Sequence, residues 1–283
     1  MDYLKALPQY LMPGHLVSRL IHNFTRIRNP RIKNAFTRWF IGQFNINVDE
    51  AIESEPSAYE HFNAFFTREL KPGVRPIVEG EDTVACPVDG AVSQAEPIRD
   101  GRVFQAKGHD YSLETLLGGS VERAAPFQNG IFTTIYLSPQ DYHRIHMPVT
   151  GTLKEMVHIP GRLFSVNPAT TRVIPGLFAR NERVVSIFDT EFGPMAMVKV
   201  GAVNVGSVET VWAGEVTPPA GRVVRNWNYQ GDEAIILQKG EEMGRFNMGS
   251  TVILVFGPDT VAWAEGIKAE EKVRLGQLLG QRI

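Results

Sequence analysis

A chain of 283 residues with 43% hydrophobic and 21% charged side chains can fill one large core, with or without a small appendage, and shows no repeat or low-complexity block that would make it a solenoid or a disordered tail. Its formal net charge of -2 gives no global pull toward nucleic acid, and its single cysteine, Cys86, cannot close an internal disulfide, which favours a reducing compartment. No apolar run approaches the ~18 residues of a membrane-spanning helix, and the opening MDYLKALPQYLMPGH lacks the apolar stretch and small-residue cleavage site of a secretory signal, so the chain reads as soluble or peripheral.

Charge is uneven along the chain. Between Tyr3 and Val48 lie Lys5, Arg19, Arg26, Arg28, Arg31, Lys33 and Arg38 without one Asp or Glu. In the same stretch Leu16, Leu20, Ile21, Phe24 and Ile27 recur at helical spacing, and after the break at Asn29-Pro30 so do Ile32, Ala35, Phe36, Trp39 and Phe40. Two short basic amphipathic helices are expected. Such faces suit an anionic bilayer surface; equally, the apolar faces can pack on the protein's own core while the basic ones are merely solvated.

A third helix is expected around SAYEHFNAFFTREL, after which KPGVRPI breaks the periodicity. This divides a helical, basic region, residues 1–70, from a β-rich core, residues 71–283. In the core the runs TVACPV, GIFTTIYL, GTLKEMVHI, RVVSIF, PMAMVKVGAVNVGSV, EAIILQ and TVILVF are separated by Gly, Pro, Asn and Asp. The expected class is α+β: a mostly β catalytic core preceded by short amphipathic helices. No glycine-rich phosphate loop and no H-E-x-x-H pattern occurs, and His143 with His146 lacks a third metal ligand, so no metal is expected.

Reactive side chains concentrate in YLSPQDYHRIHMPVTG. Ser138 as N-cap, Pro139 at the first helical position, Asp141 at the third and Pro148 as the stop predict a helix of about two turns or fewer, which would set His143 and His146 on one face. In CPVDGAV, Asp89 before Gly90 is foremost a turn signal. Together with His146 and Ser250 it completes the set that activates a serine: an imidazole takes the hydroxyl proton and a carboxylate orients the imidazole. The segment NMGST is not the G-x-S-x-G elbow of a serine hydrolase. The electrophile nearest Ser250 is the carbonyl of Gly249, and a glycine there permits strained backbone angles and leaves that carbonyl unshielded.

These segments, with FFTRELKPGVRPI, PGRLFSVNP, LFARNERV, VGAVNVGSV and KGEEMGRFNMGST, resemble the pyruvoyl-dependent bacterial type of phosphatidylserine decarboxylase in order and content over about residues 60 to 257. Met248 stands where that family usually has Leu. The resemblance implies that Ser250 attacks the Gly249 carbonyl to form an ester, and that elimination and loss of ammonia leave a pyruvoyl group at position 250. Gly249 and Ser250 are then the cleavage site, and a large chain 1–249 and a small chain 250–283 are the products. By the same resemblance His146 is the base for cleavage, Asp89 its orienting acid, and His143 serves decarboxylation. Ser250 is thereby the source of the cofactor, an electron sink for the lost carboxyl group. The expected partners are phosphatidylserine, an anionic membrane surface and the two chains for each other, with a homodimer left open and nucleic acid excluded; the expected place is the cytoplasmic face of the cell membrane, as a peripheral protein. A pyruvoyl decarboxylase of a soluble amino acid and a non-catalytic membrane-binding module are the alternatives.

Overall fold

A computed structural model describes residues 2–203, 207–217, 223–231, 234–249 and 251–283. The chain opens with three helices, α1 (Asp2–Leu11), α2 (Gly14–Thr25) and α3 (Pro30–Phe44). The start of α3 follows from its sequence: the Asn29 side chain accepts from the N–H groups of Arg31 and Ile32, and Pro30 takes the first turn. It ends at Asn45, which is left-handed at φ 52°. Helix α1 was not expected, because Pro8 interrupts its pattern; its Tyr10 ring lies 5.1 Å from that of Phe164, and its Gln9 accepts from Ser165 N at 2.8 Å. The expected helix over SAYEHFNAFFTREL shrinks to α4 (Phe62–Phe66), capped by His61 Nδ1. Glu53 and Glu55 upstream accept from the backbone N–H groups of Glu55 and Ser57, a local alternative to helical bonding.

Beyond α4 the chain is mainly antiparallel sheet, which makes the fold α+β. The large sheet runs, in spatial order, 225–228, 151–159, 183–190, 193–200, 251–256, 131–136, 90–97 and 272–273, with 235–237 also paired to 151–159. Its central strand, Thr251–Phe256, is buried at every position, as an uninterrupted TVILVF run requires of a strand covered on both faces. A second sheet is ordered 214–215, 207–210, 242–247 and 144–146.

Three neighbouring strands of the large sheet, 193–200, 251–256 and 131–136, stand beside one another in the same order as 207–210, 242–247 and 144–146 in the second. The strands that end at 136, 200 and 247 in one sheet are each followed by a strand of the other, and His143 and Gly249 lie at two of these junctions along the seam.

The helix expected across Ser138–Met147 is absent. Asp141 accepts from the N–H and hydroxyl of Ser138 at 2.6 and 2.7 Å, closing a tight turn in place of a helical N-terminus. Arg144–His146 then pairs as a strand with Glu242–Asn247. Ladder bonds, with Arg144 gripping Glu69 and Glu242 at 2.8 Å each, outweigh the local capping signal.

Most apolar side chains form one core around the large sheet, and Ala6 of α1 belongs to it. A second cluster gathers Phe40 of α3 with Phe62, Phe65 and Phe66 of α4, and Met248 packs against it. The aromatic centroids Phe36–Phe62 and Phe40–Phe62 are 4.6 and 4.9 Å apart, edge to face.

Candidate active site at the seam of two sheets

Ser250 lies outside the described residues, but its surroundings are defined. Strand Glu242–Asn247 ends at Asn247, which is 1% exposed; its side chain donates to Ser207 Oγ at 2.5 Å and accepts from Asn63 Nδ2 of α4 at 2.9 Å. Anchored there, the chain turns through Met248 at φ 84°, a left-handed value unusual for a non-glycine residue. The strain expected of Gly249 thus falls on Met248. Gly249 is needed for a different reason: a β-carbon on it would stand 2.1 Å from Nε2 of His143.

His143 is 1% exposed, stacked at 4.1 Å on Phe66, and neither ring nitrogen has a hydrogen-bond partner among the described residues. Burial, assisted by the positive charge of Arg68, pushes its pKa down to about 3. It is a neutral imidazole aimed at the junction. Its own carbonyl accepts from Phe246 N at 3.0 Å, tying the two junctions together.

His146 has other surroundings. Its Nδ1 lies 2.8 Å from the carbonyl of Gly240, which can only accept, so Nδ1 carries the proton and Nε2 the lone pair. That lone pair meets the hydroxyl of Tyr142 at 3.4 Å. Burial lowers its pKa, and the Gly240 carbonyl opposes that shift. The shared face expected for the two histidines does not form, because neither stands on a helix.

Asp89 is brought close, since His146 N donates to Pro87 O at 2.9 Å, but its carboxylate is directed elsewhere. Arg75 holds it through Nε at 2.9 and 3.1 Å and Nη2 at 2.6 Å, and Leu275 N donates to it at 2.8 Å. The acid therefore orients Arg75 and the chain near residue 275, and the tautomer of His146 is set by Gly240. Sequence reasoning missed Arg75, Tyr142, Gly240 and Asn247. Arg75 sat in KPGVRPI, where the prolines and glycine had drawn attention instead. Cys86 is buried, donates to Val88 O, and has its thiol pushed up to about 12 by burial, the state of an inert core residue. Among the described residues no group of three His, Cys, Asp or Glu is placed to hold a metal.

A cavity of about 430 Å³ opens at the seam, with Phe24 of α2 and Phe36, Trp39 and Phe40 of α3 on its walls and Phe66, His143 and Gly249 also lining it. The outer faces of the helices remain apolar: Leu11, Leu16, Leu20 and Trp39 are exposed. The basic residues are less uniform than the sequence suggests. Lys33 is buried and donates to Ser57 O, Arg26 pairs with Glu215 and Arg28 with Glu60, whereas Arg19, Arg31 and Arg38 are exposed. Among the described residues no helix is long and apolar enough to cross a membrane.

A neutral, desolvated imidazole against a glycine, a second imidazole of fixed tautomer three residues on, and an apolar cavity lined by the first and by the glycine are the features of a candidate enzyme site at a backbone junction. Comparison with known proteins makes this specific. The family described as phosphatidylserine decarboxylase matches residues 62–281, and a family described as PSD matches residues 4–45. The chain is 58% identical over 280 residues to the phosphatidylserine decarboxylase proenzyme of Shewanella amazonensis, covering 98% of each chain. It is 57% identical over 284 residues to the proenzyme of the same name from Pseudomonas putida, covering 99% of this chain and 98% of the other. The chain belongs to the phosphatidylserine decarboxylase family and is a decarboxylase.

Proposed function

We propose that the protein converts phosphatidylserine to phosphatidylethanolamine and carbon dioxide at a membrane surface, after cutting itself between Gly249 and Ser250. The observation that carries this reading is the apolar cavity, walled by the two basic amphipathic helices and lined also by His143 and Gly249. A soluble amino acid would have no use for that lining. A lipid needs it, because its headgroup must reach the seam while its glycerol and acyl portions stay in apolar surroundings.

Cleavage forms an ester between the Gly249 carbonyl and the Ser250 oxygen and frees the amine of residue 250. Loss of the α-proton of residue 250 then breaks its Cβ–O bond, leaving a carboxylate on Gly249 and dehydroalanine at 250; tautomerisation and hydrolysis release ammonia. His146 suits the proton transfers because its bond to Gly240 leaves the lone pair on Nε2, held by Tyr142 only through a long contact of 3.4 Å. Its dependence on Asp89 would run through Arg75 and the backbone. Anchoring of Asn247 and the left-handed Met248 bear on the carbonyl to be attacked. The surroundings fit a small planar carbonyl group at position 250: Gly249 has no β-carbon, and His143 offers two ring nitrogens without partners. Such a pyruvoyl group supplies an electron sink for the pair left when carbon dioxide departs. His143, neutral and desolvated, is placed to hydrogen-bond where the carboxyl group is replaced by a proton and to orient the donor there.

On the outer side Leu11, Leu16, Leu20 and Trp39 would enter the interface, with Arg19, Arg31 and Arg38 available to anionic headgroups. Intact mass of the purified protein tests cleavage, and product analysis on phosphatidylserine vesicles tests the reaction. The expected result is two chains with a blocked N-terminus on the smaller, an uncleaved inactive Ser250→Ala variant, and a His143→Ala variant that cleaves but decarboxylates at least 100-fold more slowly. One uncleaved wild-type chain, or cleavage without action on the lipid, would refute the reading.

A further inference from the structure

Arg68 is 5% exposed, yet its guanidinium makes no hydrogen bond or ion pair with any described residue. Its Nε is buried without a partner, and its guanidinium carbon lies over the face of the Phe65 ring, 5.4 Å from the centroid. Nearby carboxylates are already engaged. Arg75 holds both Asp89 and Glu50, at 2.6 and 2.9 Å, and Arg144 holds Glu69 and Glu242, each at 2.8 Å. A buried cation left alone is costly and is rarely retained without an anion to meet.

The position of Arg68 is fixed by the active site itself. Phe66 stacks on His143, and Arg144 donates to Thr67 O at 2.8 Å while pairing with Glu69, so residues 66–69 are clamped against residues 143 and 144. Arg68 thus lies two residues from Phe66, the ring stacked on His143, and its positive charge works with burial to keep that imidazole neutral.

We propose that Arg68 holds the phosphodiester of the lipid headgroup; this rests on the function proposed above. Phosphatidylserine offers two anions, and the chemistry separates them. The carboxylate must lose its charge as carbon dioxide leaves, so a cation upon it would stabilise the ground state against the transition state. The phosphodiester keeps its charge from substrate to product and can be gripped throughout. A guanidinium fork matches two phosphate oxygens.

The test uses the full-length protein as wild type, Arg68→Gln and Arg68→Lys, each checked for self-cleavage by intact mass. Both variants should cleave. On phosphatidylserine vesicles Arg68→Gln should lose roughly 30- to 1000-fold in kcat/KM, chiefly through KM, and Arg68→Lys should recover part of it. Glycerophosphoethanolamine, a soluble phosphodiester without a carboxylate, should compete with substrate on the wild type and not on Arg68→Gln, while acetate should compete on neither. Unchanged kcat/KM in Arg68→Gln, or equal inhibition of both proteins by glycerophosphoethanolamine, overturns the proposal. A fall in kcat alone, with acetate as the competitor, places the cation on the carboxylate and overturns it too. Loss of cleavage in both variants assigns Arg68 to the fold or the junction instead. A wild type that cleaves yet leaves phosphatidylserine unchanged refutes the underlying function and is told apart from these by needing no variant.

Discussion

Nε2 of His143 and the α-carbon of Gly249 are packed so closely that a β-carbon on residue 249 would stand 2.1 Å from the nitrogen. His143 cannot simply recede, because Phe66 stacks behind it at 4.1 Å. Gly249→Ala is therefore expected to displace the junction and slow self-cleavage at least tenfold. Adding His143→Ala should make room and restore cleavage, without restoring decarboxylation. Gel or mass analysis of precursor decay reads both; a Gly249→Ala protein that cleaves at the wild-type rate would show that the contact does not constrain the bond.

The Arg75–Asp89 pair is nearly sealed, with side chains 9% and 8% exposed. Asp89→Asn should destabilise the protein by about 3–5 kcal/mol, as breaking a buried ion pair does, and Arg75→Gln should do the same. If Asp89 acts on cleavage through Arg75, both variants will slow it similarly. Cleavage lost in Asp89→Asn but normal in Arg75→Gln would instead return the acid to a direct role on His146. Denaturant titration and precursor decay measure the two effects.

What was legible in the sequence, and what was not, divides by range. Helices α2 and α3 could be read because Leu16, Leu20 and Phe24, and then Phe36 and Phe40, repeat within one segment, and the break at Asn29-Pro30 is itself the cap of α3. TVILVF announced the central strand for the same local reason. The Ser138–Asp141 capping signal was real but closed a turn, because the choice between helix and strand for Arg144–His146 was made by a partner strand a hundred residues away. Partners of Asp89 and His146 were likewise illegible. Any basic residue could have held Asp89, and a backbone carbonyl such as that of Gly240 leaves no trace in residue identity.

His143 carries a pH signature of its own. Burial and the charge of Arg68 hold its folded pKa at about 3, while an unfolded histidine titrates near 6.5. Between these values the unfolded chain binds the extra proton, so stability falls as pH drops from about 6.5 toward 3. His143→Leu should flatten the acid side of the stability curve by up to about 1.4 kcal/mol per pH unit. Urea titrations at pH 6.5, 5.5 and 4.5 provide the slope. In the active protein the decarboxylation rate should show no inflection from His143 between pH 5 and 8.

Leu11, Leu20 and Trp39 are 88%, 60% and 55% exposed on the N-terminal helices. Leu20→Glu should leave thermal stability unchanged, since little is buried there, and weaken binding to anionic vesicles roughly 10- to 150-fold, the worth of burying one leucine at about 1.5–3 kcal/mol. Cosedimentation with vesicles reads the effect. Equal binding by the variant would remove this face from the membrane contact.

Lys199 is fully buried in the strand next to Thr251–Phe256, opposite Val252; its amine donates to Ser186 Oγ at 2.8 Å and lies 5.4 Å from the centre of the Trp212 ring. Burial pushes its pKa down to about 7, against about 10.4 in an unfolded chain. Across that window the unfolded state binds more protons, so stability rises with pH from about 7 to 10.4 and declines as pH falls back toward 7. Lys199→Met fills the same space without the desolvated amine. It should raise stability at pH 7 by on the order of 1–4 kcal/mol, and less at pH 10. Thermal or denaturant unfolding at the two pH values is decisive: a variant less stable than wild type at pH 7 would mean that the bonds to Ser186 and Trp212 outweigh the cost of burying the charge.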